Sequence, residues 1–163
     1  MLQAQPTWRI WPLLWLLLVL QTTLFARLAP FGVHIDFVLL SVVSVALLLG
    51  METGAIFGLV AGVLTGYCAG VSLGSFAFSR LLIGAGFGFF DKRFSRDNPF
   101  APPICAAAAT LIANAVFGVL SPGEFTFSWW LHHTLIATAS HAILIWPIYA
   151  LFSHFVPPPR AFV

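Results

Sequence analysis

Charge is what this sequence has least of. Five acids and seven bases are spread over 163 residues, so 7% of the chain is charged, against about 25% in an average soluble domain. So few charges cannot cover the surface of a water-soluble fold of this length, which excludes a soluble enzyme. The net charge of +2 offers no basic patch for a polyanion, so no nucleic-acid partner is expected. Cysteine is nearly absent too: Cys68 and Cys105 stand alone, which excludes the disulfide framework of small secreted domains. Long polar stretches are missing as well. The longest connector between apolar runs is the loop Asp91–Ala101, too short to hold a domain in water.

What is present is hydrocarbon. Apolar residues make up 60% of the chain and the mean hydropathy is +0.99. Crossing a bilayer takes roughly 20 apolar residues in a helix. The runs 8–25, 35–49, 54–69, 73–90, 102–120 and 131–155 predict one all-α integral membrane domain, a bundle of six transmembrane helices. The apolar run Ile10–Phe25 is long for a signal peptide and no small-residue cleavage site follows it, so a retained first helix is expected. A barrel would need alternating strands, and these runs are continuously apolar. Lys/Arg bias sets orientation. With both termini in the cytoplasm, Arg9, Lys92, Arg93, Arg96 and Arg160 fall inside, while only Arg27 falls in an outer loop. Lys92, Arg93 and Arg96 then form a cytoplasmic basic loop facing anionic lipid.

Two internal patterns stand out. Glycine recurs at every fourth position, at Gly50, Gly54, Gly58, Gly62, Gly66, Gly70 and Gly74. Small residues at this spacing let a neighbouring backbone approach closely, and Gly84, Gly86 and Gly88 offer a mating surface on the fourth span. The stripe is read as packing within the bundle or as a groove left for a partner's single helix. The second pattern is polar. Counting about 1.5 Å per residue from the span ends puts Gln21, Arg80, Asn114 and His141 roughly 10–15 Å below the outer surface. Polar groups at one depth predict an interhelical clamp or a solute pocket. Arg80 is expected to point into the bundle and bond the Gln21 and Asn114 amides, with Asp36, the outer-side acid, within its reach. Asp36 and Glu52 fall on opposite sides, and the adjacent His132 and His133 diverge by about 100° on a helix. No catalytic group, metal site or cofactor is expected.

From the first span to the fourth the chain resembles the MreD family, the rod shape-determining membrane proteins of bacteria. The matching text is Leu20-Gln21-Thr22-Thr23-Leu24, then Val33-His34-Ile35-Asp36-Phe37, then Gly50-Met51-Glu52-Thr53-Gly54. Gly58-Leu59-Val60-Ala61-Gly62-Val63-Leu64 and Gly70-Val71-Ser72-Leu73-Gly74 complete it. The likeness covers about residues 10–95. Many family members carry an aspartate where this chain has Gly66, and a proline where it has Ile35, so no ionisable role is expected at Gly66.

The resemblance implies a non-enzymatic scaffold of the cell-elongation complex in the bacterial cytoplasmic (inner) membrane. It would bind MreC and connect through it to RodA, its penicillin-binding transpeptidase and MreB. The family is similar in fold to the six-helix substrate-binding components of vitamin transporters, which supplies the alternative: a small-solute-binding membrane subunit. Such a subunit would dock through small residues on its first helix, whereas Leu13–Leu20 is bulky throughout. Which helices meet the partner, and whether a homodimer forms, stay open.

Overall fold

A computed structural model describes residues 7–25, 35–70, 72–89, 98–120 and 127–156. Among them all regular structure is helical. Helix α1 spans Ile10–Leu20, preceded by a 3₁₀ turn at Thr7–Arg9 and continued by a wider π turn at Gln21–Phe25. Then follow α2 Phe37–Leu49, α3 Met51–Ala69, α4 Leu73–Phe89, α5 Ala101–Leu120 and α6 Phe127–Phe155. The six runs of the sequence correspond to the six helices, with shifted ends. The largest shifts are at α1, whose regular part gives way to the π turn after Leu20, and at α6, which begins earlier than expected. No four-residue turn separates α2 from α3. Gly50 alone makes the break with φ 90°, a value that excludes most side chains, and Gly54 lies inside α3.

Helix α2 is the axis of the molecule. It packs against all five other helices, and every residue from Phe37 to Leu47 is buried. A helix apolar all round belongs in the middle of a bundle. The two serines within it return their hydroxyls to their own helix, Ser41 to the Val38 carbonyl at 2.7 Å and Ser44 to the Leu40 carbonyl at 2.8 Å, so neither leaves an unpaired donor in the core. With 13 residues, α2 is about 20 Å long, short of the roughly 30 Å of bilayer hydrocarbon. Its N-terminus lies within the bundle, beside Gln21 and His141, and its free N–H groups need partners there.

The most extensive helix pair is α3 with α4, and glycine makes it so. A Cβ on Gly54 would stand 2.6 Å from the Gly84 carbonyl oxygen and 2.9 Å from Ala46 Cα. One on Gly66 would stand 2.7 Å from Leu73 Cα, and Gly58, Gly62, Gly84 and Gly88 meet the facing backbone as closely. Carbon atoms in ordinary contact are about 3.5–4.0 Å apart, so only glycine permits this approach. Gly74 and Gly86 have open space where a Cβ would be, and Gly70 ends α3 in a left-handed conformation, φ 68°. The mating surface is thus Gly84 and Gly88 without Gly86, and the groove along Gly54–Gly66 is filled by the chain's own α4.

Three helices, Met51–Ala69, Ala101–Leu120 and Trp130–Phe155, are long and apolar enough to cross a membrane. Large apolar side chains also cover the outside, among them Phe89 at 81%, Tyr67 at 78% and Ile143 at 71% exposure. Exposed apolar surface on this scale calls for an apolar surround.

Candidate functional site

The first N–H groups of α2 are met by side chains from three elements. Asp36, the residue before the helix, accepts from Leu39 N through Oδ1 at 2.9 Å, an N-cap. Gln21, on the π turn after α1, accepts from Val38 N through Oε1 at 3.0 Å. His141 of α6 accepts from Asp36 N through Nε2 at 2.9 Å. Helix N-terminal N–H groups have no partner within the helix, and leaving one unmet in a dry interior costs about 1–3 kcal/mol. Here the partners come from α1 and α6, so capping α2 also ties those helices to it.

The His141 bond fixes the ring's protonation. Because Nε2 accepts, the ring proton sits on Nδ1, which donates to Thr110 Oγ1 at 2.8 Å. Thr110 passes its own hydroxyl proton to the Ala106 carbonyl at 2.7 Å. A directional chain thus runs from the Asp36 N–H through His141 and Thr110 into α5. His141→Leu removes an acceptor and a donor at once. We expect a loss of about 1–3 kcal/mol, read as earlier thermal unfolding in detergent; unchanged unfolding would show that the chain of bonds does not hold the helices.

Arg80 of α4 is 2% exposed, and its guanidinium Nη2 donates to Asp36 Oδ2 in an ion pair. The same guanidinium lies over the Phe76 ring, 4.7 Å from its centroid, a favourable position for a cation. The expectation that Arg80 bonds the Gln21 and Asn114 amides is corrected. Gln21 is taken by the α2 backbone, and Asn114 Nδ2 donates to Thr134 Oγ1 at 3.3 Å. The reason is electrostatic: a carboxylate accepts a charge-assisted bond, roughly twice as strong as a neutral one. Asp36, expected within reach of Arg80, is its partner. It stands at the centre of the polar layer.

All five polar residues line a single cavity of about 430 Å3. Among the described residues the lining runs from the end of the bundle where α1, α3 and α5 finish and α2, α4 and α6 begin to the middle of α4, α5 and α6, at Arg80, Thr110 and His141. Sequence reasoning missed Thr110, Trp130, His133 and Thr134, which also face the cavity. A signal existed for them: Trp130, Thr134, Ala137 and His141 are spaced as one helix face, and Thr110 is four residues before Asn114. His132 is not part of the wall. Among the described residues no three His, Cys, Asp or Glu side chains gather as a metal would require. Cys68 is exposed and Cys105 buried, both as free thiols. Arg27, Lys92, Arg93, Arg96 and Arg160, which carry most of the orientation argument, lie outside the described residues.

Set beside known proteins, the chain matches no family model, no curated protein and no solved structure.

Proposed function

We propose that this chain is a non-enzymatic scaffold of the bacterial cell-elongation machinery, an MreD-type protein of the cytoplasmic membrane. In this reading it crosses the bilayer six times with both termini inside, and it presents a rigid bundle to the single membrane helix of MreC. RodA, its penicillin-binding transpeptidase and MreB are reached through MreC. The observation that carries the proposal is where the motif residues meet. Gln21 and Asp36, the polar marks of the resemblance, converge on the N-terminus of α2, and Gly58 and Gly62 form the α3–α4 seam. Residues from separate motif segments therefore share a structural task. The exposed apolar surfaces of α5 and α6, such as Ile104, Leu111 and Ile143, give a single-pass partner a face to pack on.

Depleting the protein in its rod-shaped host tests the proposal. Cells are expected to widen and round over a few divisions while growth medium supplements make no difference. Depleted cells that keep their rods would overturn it.

The cavity favours a second reading, a solute-binding subunit of a vitamin-type transporter. A polar pocket at one end of a six-helix bundle suits a small solute, whereas a scaffold needs no void. In that case depletion leaves shape intact and creates a nutritional requirement.

A further inference from the structure

A clamp whose only task is to hold helices together would be closed. Protein interiors pack as densely as organic crystals, with few voids larger than a water molecule. The cavity at the α2 N-terminus is instead open on one side and holds about 430 Å3, within the range of about 300–1,000 Å3 that takes small organic ligands.

Its polar groups fall into two sets. In the first, bonding is complete within the protein. Asp36 accepts from Leu39 N and from Arg80, one bond on each oxygen, and both His141 ring nitrogens are engaged. The second set is open, and Arg80 belongs partly to it, because its buried Nε has no hydrogen-bond partner among the described residues. Gln21 is held by Oε1 to Val38 N, which leaves its Nε2 donors without a partner among the described residues. Asn114 spends its amide nitrogen on Thr134 and leaves Oδ1 as an acceptor. Donors from the end of α1 and from Arg80 and an acceptor from α5 thus line the same space. Phe117 and Trp130 give the same wall aromatic surface.

Charge decides the ligand class. Among the described residues Arg80 and Asp36 are the charged residues of the wall, and they pair with each other. An anion drawn to Arg80 would meet the Asp36 carboxylate, and a cation drawn to Asp36 would meet the guanidinium. In low-dielectric surroundings such repulsion is costly. We propose that the cavity binds an uncharged, flat, largely apolar small molecule with a donor–acceptor edge of the amide or lactam kind. The edge bonds Gln21 Nε2 and Asn114 Oδ1, and the body lies against Phe117 and Trp130. This inference deepens the solute-binding reading and is independent of whether the bundle also binds MreC.

The test uses the full chain in mild detergent, titrated with 2-naphthamide and followed by the probe's fluorescence. Two probes of the same shape run beside it: 2-naphthoate, which is charged, and 2-methylnaphthalene, which has no polar edge. Saturable binding of the amide at one per chain is expected, at least about tenfold tighter than either comparison probe, because a site built for hydrogen bonds rejects ligands that lack them. Asn114→Leu should weaken it about tenfold, and Ala113→Phe, which fills the cavity, should abolish it with the protein still folded. Saturable binding of the naphthoate in preference would overturn the neutral ligand class and leave solute binding standing. Equal uptake of all three probes, or no saturable uptake at all, would overturn both.

Discussion

Replacing Arg80 with leucine is expected to destabilise the bundle, by less than the ~3–5 kcal/mol of a fully buried ion pair because the Asp36 side chain keeps 22% of its surface exposed. The damage falls on the residue left behind. Asp36 caps α2 through Oδ1, so it cannot turn away to find water without releasing the Leu39 N–H. It must stay as an uncompensated charge or take up a proton. Removing both charges should therefore hurt less than removing one. Asn is as good an N-cap as Asp, so Arg80→Leu combined with Asp36→Asn should recover much of the loss. Arg80→Lys keeps the charge without the planar fork and should fall between wild type and Arg80→Leu. Reversible unfolding in mixed micelles gives the ranking. An Arg80→Leu protein as stable as wild type would show that the pair contributes nothing.

The second large effect lies in the glycine seam. A Cβ on Gly58 would overlap the Arg80 backbone carbonyl and stand 3.2 Å from Val42 Cγ1. Backbone cannot rotate aside as a side chain can, so α4 has to move. Overpacking costs about 1–3 kcal/mol, occasionally more, and Gly58→Leu should sit at the top of that range. Displacing α4 at this point also draws Arg80 away from Asp36, which couples the seam to the ion pair. Gly62→Leu should behave similarly, because its Cβ would lie 2.5 Å from the Phe76 carbonyl oxygen. Gly86→Leu is the comparison, since nothing occupies the space beside it. If Gly58→Leu and Gly86→Leu accumulate and unfold alike, close approach is not what the glycines provide.

These two effects bear on what could be read without coordinates. Helix number and type follow from apolar runs separated by glycine, proline and charge, and those are local properties. The common level of Gln21, Arg80, Asn114 and His141 was legible from counting residues, and all four line the same cavity. Their pairing was not. Arg80 was expected to meet two amides because those lay at its depth. Asp36 was placed within reach of Arg80 at the start of a short second span, but its task was not legible: it caps the N-terminus of α2 inside the bundle, where the guanidinium pairs with it. The order of side chains around the bundle axis decides who meets whom, and no periodicity along one helix encodes that order. The fate of the glycine stripe was undecided for the same reason: only the position of α4 shows that the chain fills its own groove.

Affinity purification of the tagged chain from host membranes in mild detergent tests the central claim most directly. The scaffold account predicts MreC as the main co-purifying protein, with RodA and its transpeptidase in lesser amounts, and the loss of all three with Gly58→Leu. Recovery of a pair of ABC-type ATPases, without MreC, would contradict it.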